Sequence, residues 1–247
     1  MYFENSSRRL IEVYVENVIF MTDNYLKISS VEKLKILKSI YTYKELEKHL
    51  EIPTPVLARY ISLQNLLNIE KAKKITSFFD KIDITKIIEK KMKIYDQKII
   101  DATELISDLS LLKILALRVN IEADVVLTMA VDGITWGTLI ADHIGARIVY
   151  AKEKEEPGVR DFYTITTKYG EGVLFKKYYL PKNLLNSRDK VLIVDDIIRT
   201  GNTLKTLIRF AEQANAKIVG GAALLAKKEA IEELSTLLSP LIVIYKF

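Results

Sequence analysis

Apolar positions recur at intervals of three and four along residues 1–93, the period of an amphipathic helix. Leu10, Val13, Tyr14, Val18 and Met21 mark a first helix after Ser6 or Ser7, and Val31, Leu34, Leu37 and Ile40 a second from near Ser30. A third runs from Thr42 through Tyr43, Leu46 and Leu50, with Glu45 at the capping-box distance from Thr42. Pro53 must end it. Thr54 and Pro55 then predict an N-cap followed by proline at the first helical position, in a helix carrying Val56, Leu57, Tyr60, Ile61 and Leu63. The Lys-rich stretch 71–93 holds Ile75, Phe78, Phe79, Ile82, Ile87 and Ile88, and predicts one or two connecting helices or a dimer contact, with no β-hairpin before it.

From residue 98 short apolar runs alternate with helical patterns. The runs 124–130 (DVVLTMA), 146–151 (ARIVYA), 190–194 (KVLIV), 217–225 and 241–245 predict strands, and 137–144, 203–214 and 227–238 predict helices. Strands alternating with helices imply an α/β fold with a mostly parallel sheet covered on both faces. The segment 153–180 alternates like a hairpin, with Gly170 or Gly172 near its turn.

Composition sharpens this division. The net charge is +5, but residues 1–100 hold 18 Lys+Arg against 13 Asp+Glu, whereas residues 101–247 hold 19 of each. All nine glycines lie at or after Gly133. Two modules are expected: an all-α domain over 1–95 and an α/β domain over 96–247. With no Cys there is no disulfide framework and no thiolate metal site. No run of 18 apolar residues predicts a membrane span, and the first residues lack a signal-peptide pattern, so a cytoplasmic protein is expected.

The densest chemistry follows the 190–194 strand, as Asp195-Asp196-Ile197-Ile198-Arg199-Thr200-Gly201-Asn202-Thr203. A buried strand here delivers two adjacent carboxylates, acceptors for the vicinal hydroxyls of a ribose. Arg199, Thr200, Gly201, Asn202 and Thr203 then turn into a helix whose backbone N–H groups and hydroxyls suit a phosphate. Gly201 lets the backbone approach closely.

This stretch resembles the PRPP-binding motif of type I phosphoribosyltransferases, and the resemblance covers about 98–247. It implies that Val131, Asp132 and Gly133 form a diphosphate-binding loop. It implies that Lys152 and Lys154 are diphosphate-contacting basic residues, and that 153–180 is the family's flexible loop, with Arg160, Lys168, Lys176 and Lys177 able to reach in. Mg²⁺ would arrive with PRPP, bridging ribose hydroxyls and diphosphate. If the chain is an enzyme, Lys152, Lys154, Asp195 and Asp196 would carry catalysis. In 6-oxopurine members an Asp stands just before the Thr-Gly pair; here it is Arg199, a cation that favours an anion. His49 and His143 have no second metal ligand nearby, and Trp136 either stacks on a base or packs its loop.

Residues 43–61 resemble the DNA-binding helix-turn-helix signature, with apolar Leu46, Leu50, Ile52, Leu57 and Tyr60 where that pattern has them. Glu47 and Glu51 stand where it has a small residue and a glycine. The resemblance implies that the Thr54 helix enters the major groove, offering Thr54, Arg59, Ser62 and Asn65, while Lys44 and Lys48 face phosphates. A plain helical oligomerisation domain is the alternative. Together the two halves resemble purine-repressor and archaeal GfcR-type transcriptional regulators. The expected function is therefore a dimeric, non-enzymatic regulator binding DNA and PRPP or a nucleotide. The alternative is a phosphoribosyltransferase joining PRPP to adenine, a 6-oxopurine or orotate; a third is a nucleotide-binding protein whose helical half contacts another protein.

Overall fold

The computed structural model describes residues 22–95, 99–169 and 174–247. The expected helix over 10–21 and the Gly170 or Gly172 turn lie outside them. The chain divides into two compact units, Met1–Asp101 and Ala102–Phe247.

In the first unit a helix, α1, covers the described residues 22–40 without a break at Ser30. Ser30 is buried inside it, so it is not the start of a second helix as expected. Its hydroxyl contacts the Leu26 carbonyl at 2.6 Å, the Ala72 carbonyl at 3.1 Å and the Thr76 hydroxyl at 2.9 Å, which ties α1 to α4 (Ile69–Asp80). Helix α2 (Tyr43–Leu50) opens on the expected capping box. The Thr42 N–H donates to Glu45 at 2.7 Å and the Glu45 N–H donates to Thr42 at 3.3 Å.

Helix α3 (Thr54–Ile61) follows after three residues. Thr54 is its first residue and Pro53 its N-cap, one position earlier than the sequence predicts. Leu46, Leu50, Ile52, Leu57 and Tyr60 are all buried between these helices and their neighbours. The Lys-rich stretch forms α4 and α5 (Ile84–Lys90). The unit is not all-α: β1 (Lys93–Tyr95) and β2 (Ile99–Asp101) pair antiparallel after α5. Three-residue strands carry too little periodicity to be seen in sequence.

The second unit begins with α6 (Thr103–Ser107) and α7 (Leu109–Ala116). Its five-stranded sheet comprises β3 (Val125–Met129), β4 (Arg147–Ala151), β7 (Lys190–Ile198), β8 (Lys217–Ala226) and β9 (Leu241–Lys246). All neighbouring pairs are parallel, in the order β4-β3-β7-β8-β9. Central β7 is buried from Val191 to Asp196, which is why its sequence reads as a continuous apolar run rather than an alternation.

Two twelve-residue helices flank that centre, α8 (Gly133–Ile144) and α9 (Asn202–Gln213). Thr128 of β3 faces α8, and Gly133 and Gly137 lie against it. Val125, Leu127, Val191 and Ile193 join Leu204, Leu207 and Phe210 of α9 in one core. Helix α10 (Lys228–Leu237) adds Ala230 and Leu234 to it. The segment expected to be a hairpin forms β5 (Phe162–Tyr169) and β6 (Leu174–Pro181), paired antiparallel in register. Ile165 and Leu180 anchor it in the α9-side core.

Candidate functional site

Parallel strands leave their carboxyl ends on one edge of the sheet, and helices that follow them start there. Here β3 leads into α8 and β7 into α9, so two helix N-termini meet at the ends of neighbouring strands. Neither carries an acidic residue in its first turn, and neither N-cap residue, Asp132 or Gly201, makes a side-chain capping bond. Two helix starts without side-chain caps form an electropositive lip suited to anions.

Gly201 holds φ 76°, the left-handed region, and a side chain there would meet Leu234 Cδ1 at 3.0 Å. The tight turn therefore needs glycine on both counts. Gly133 is the second such position. A Cβ there would lie 2.2 Å from Thr128 Oγ1, so the start of α8 is pressed against β3. The peptide joining Ala130 to Val131 is cis, and Val131 itself is 78 % exposed at the edge of the site.

Asp195 and Asp196 are buried at the end of β7. The Asp196 N–H donates to Asp195 Oδ1 at 3.1 Å. Burial, and then the Asp196 charge, raise the Asp195 carboxyl well above its ordinary value. Burial also raises Asp196, with Asp132 adding to it. Two acids held this way are poised to accept hydroxyl donors or to share a cation.

Two cavities open here. One, of about 300 Å³, is lined by Val131, Asp132, Gly133, Asp195, Asp196 and Arg199 among others. The second, of about 220 Å³, is lined by Asp195 and the whole turn Arg199–Thr200–Gly201–Asn202–Thr203, with Thr167, Lys168 and Tyr178 from the hairpin. The predicted ribose, phosphate and diphosphate residues are thus brought together, with the exception of the two lysines. Lys152 and Lys154 line a third cavity of about 300 Å³ beside edge strand β4, with Tyr150, Phe162 and Tyr179. Lys152 pairs with Glu156, which raises its pKa, and its backbone bridges to Tyr179 at 3.0 and 2.8 Å. Lys152 bridges to Tyr179 of β6 as an extended residue, and side chains alternate from there: Lys152 and Lys154 line this third cavity while Glu153 between them lines the one at the end of β7.

Of the other predicted loop cations, Lys176 pairs with Glu153 at 2.6 Å, Lys177 lies over the Tyr179 ring, and Arg160 is exposed. Trp136 is buried in α8, so its role is packing. His49 stacks on Phe78, and His143 is exposed. Among the described residues no group of three or more His, Cys, Asp or Glu is arranged to hold a metal ion, and no helix is long and apolar enough to cross a membrane. Sequence reasoning missed Tyr178 and Ile197, which line both β7-end cavities. Tyr178 reaches them only through the hairpin's fold, and Ile197 was passed over inside the motif.

In the helical unit the surface expected to meet DNA is partly committed elsewhere. Thr54 Oγ1 donates to Glu47 at 2.7 Å and Ser62 Oγ donates back to the Ala58 carbonyl at 3.0 Å, while Lys44, Arg59 and Asn65 are exposed.

Comparison with known proteins adds the following. The sequence profile of the phosphoribosyl transferase domain matches residues 87–239. A xanthine phosphoribosyltransferase of Lactobacillus johnsonii is 31% identical over 105 residues, covering 42% of this chain and 54% of that protein. One from Alkaliphilus metalliredigens is 29% identical over 108 residues, 43% and 53% of the two chains. The chain thus spans about half the length of the curated relatives it matches. Among solved structures, adenine phosphoribosyltransferase from Thermoanaerobacter pseudethanolicus superposes with TM-score 0.55 at 17% identity, covering 66% of this chain and 99% of that one. The enzyme from Saccharomyces cerevisiae gives 0.55 at 19%, covering 65% and 97%. These structural likenesses establish the fold. None of these relatives is a transcriptional regulator by name.

Proposed function

Since this chain belongs to the phosphoribosyl transferase domain family, we propose that it binds PRPP at the end of β7 and transfers its phosphoribosyl group to a nucleobase. The observation that carries this is the pairing of a buried Asp195–Asp196 step with two uncapped helix starts around adjoining cavities. The relatives' activities favour an enzyme over the regulator expected from sequence.

Each residue has a task in this reading. Asp195 and Asp196 accept the ribose hydroxyls. The N–H groups of Thr200–Thr203 and the start of α9 take the 5′-phosphate. The Val131–Gly133 turn and the start of α8 take the diphosphate. Among the described residues no three acids are arranged to hold a metal by themselves, so a Mg²⁺ would be held mainly by the ligand's own oxygens, in the cavity that Asp132, Asp195 and Asp196 line. Bound there, Mg²⁺ would offset charge on the diphosphate. Holding ribose and diphosphate between two fixed turns orients the C1–O bond for displacement. The acceptor nitrogen bonds to C1, the diphosphate leaves with the C1–O electron pair, and the base's ring proton passes to water.

The test is calorimetric titration of PRPP with Mg²⁺, followed by a nucleobase panel monitored for diphosphate release. Binding that survives Asp195→Asn with Asp196→Asn would remove the site. Absence of turnover with every base, alongside tight PRPP binding, would return the reading to a sensor.

A second reading has its own support. Helices α2 and α3, joined by Glu51–Pro53 with all five signature apolar positions buried, suit a DNA-binding element that responds to PRPP. A gel shift on the gene's own upstream DNA, with and without PRPP, tests it. Absence of a shift in either condition would discard this reading.

A further inference from the structure

The cavity given to the diphosphate is strongly acidic. Asp132, Glu153, Asp195 and Asp196 line it, against the single cation Arg199 among the described residues. Three of these acids have a place in the reading above: Asp195 and Asp196 take the ribose hydroxyls, and Asp132 belongs to the diphosphate turn. Glu153 has none, and a fourth carboxylate repels the anion it faces.

Its surroundings set it apart from the other three. The antiparallel bridge between Lys152 and Tyr179 sets Glu153 opposite Tyr178, and both line this cavity. Residues two apart on a strand share a face, so Lys176 of β6 lies on the face of Tyr178. There it meets Glu153: Lys176 Nζ donates to Glu153 Oε1 at 2.6 Å. The ammonium is thus held at the mouth of the cavity by a carboxylate that lines it. The two side chains are 36 % and 53 % exposed, so an anion from solvent reaches the pair directly, and an ion pair this open is weak. A diphosphate carries more charge than one carboxylate and offers several oxygens. The lysine head has three donors on a flexible stem and can follow them.

We propose that Glu153 is a positioning residue that holds Lys176 ready and yields it to the diphosphate. On binding, the ammonium exchanges the Glu153 carboxylate for a diphosphate oxygen; when diphosphate leaves, it returns to Glu153. This rests on the reading of that cavity as the diphosphate site. The exchange swaps one hydrogen-bond acceptor for another, with no covalent bond changed and no proton moved. Glu153 therefore competes with the ligand, which lowers affinity for the leaving group and eases its release.

The experiment is calorimetric titration of the full chain with inorganic diphosphate plus Mg²⁺, with ribose 5-phosphate as the control ligand. Glu153→Gln tightens diphosphate by about 2- to 5-fold, the worth of an exposed ion pair. Lys176→Gln weakens it by about 10-fold, a charge-assisted hydrogen bond less the pair that no longer has to open. Lys176→Arg retains most of the binding. The double variant stays near Lys176→Gln, because Glu153 acts through Lys176. Ribose 5-phosphate, which needs only the 200–203 turn and the acid pair, binds all of them alike. A double variant restored to wild-type affinity would mean that the pair stays closed in the complex, and would overturn the exchange. So would a Glu153→Gln variant that binds diphosphate more weakly than the wild type. Either result, with the wild type binding both ligands, sinks the exchange and leaves the site standing. A wild type that binds no diphosphate sinks the diphosphate site and the exchange together.

Discussion

The Glu47 carboxylate accepts both the Thr54 hydroxyl, at 2.7 Å, and the Thr54 backbone N–H, at 3.2 Å. Helix α3 starts on Pro53, which has no capping side chain. The preceding helix therefore supplies the cap that α3 lacks. Glu51, the other departure from the helix-turn-helix pattern, takes the left-handed conformation at φ 50° and ion-pairs with Lys74 on α4. Both glutamates have a structural reason to be there.

Glu47→Ala is expected to destabilise the helical unit by about 1 kcal/mol, the cost of an average lost N-cap. Hydrogen exchange at the Thr54 and Val56 amides reports it locally. If the unit binds DNA, the same variant binds more tightly, because it frees the Thr54 hydroxyl and removes a negative charge from the start of α3. Unchanged exchange at these amides would show that Glu47 is not the cap.

Gly133 and Thr128 are the corresponding pair in the α/β unit. The Thr128 hydroxyl is buried without a hydrogen-bond partner and stands 2.2 Å from where a Gly133 Cβ would be. Gly133→Ala is expected to cost about 1–3 kcal/mol, as overpacking does. Adding Thr128→Ala should recover much of that loss, since it removes the opposing atom. Urea unfolding of the four proteins in the cycle measures the coupling. Simple additivity would mean that α8 moves away freely.

Gly201→Ala combines strain with contact, since φ is 76° and Leu234 Cδ1 stands 3.0 Å from the new methyl. A loss of about 1–2 kcal/mol is expected from the left-handed backbone alone. Leu234→Ala makes room but leaves the backbone strain, so it should rescue only part. Thermal shift with PRPP should also shrink in Gly201→Ala, because the turn proposed to meet the phosphate is altered.

The raised carboxyl of Asp195 sets a pH dependence of stability with a definite sign. The folded chain keeps a proton that the unfolded chain releases near pH 4, the ordinary carboxyl value of about 3.9. Stability from this group is therefore fully present below that value and is lost as pH rises through the folded one. As pH rises above the ordinary carboxyl range, the ligand-free wild type should lose stability relative to Asp195→Asn. Urea midpoints across that rise check it, and parallel curves would place the proton elsewhere.

The α/β order, the acid pair and the glycine turn were legible because each is a local signal. A buried strand needs an apolar run, a tight turn needs Gly201, and the acid step Asp195–Asp196 is read directly at the end of that run. The buried positions of α2 and α3 were legible too, since helical spacing marks Leu46 and Leu50 in one helix and Leu57 and Tyr60 in the next, and the helix-turn-helix resemblance adds Ile52 in the turn. Helix limits were less so: Ser30 reads as a cap in sequence, and only its contacts with α4 make it a buried tie within α1.

What the tertiary structure alone decided is which side chains share a space. Lys152 and Lys154 follow β4 directly, yet they line another cavity, and it is Glu153 between them that faces the end of β7. Tyr178 and Lys168 are far from β7 in sequence, yet the hairpin register lays them beside Arg199. Glu47 reads as a broken pattern until the three-residue turn sets it against Thr54. Local chemistry is written in runs of a few residues, whereas a cavity is made by strands and loops whose order in space differs from their order in the chain.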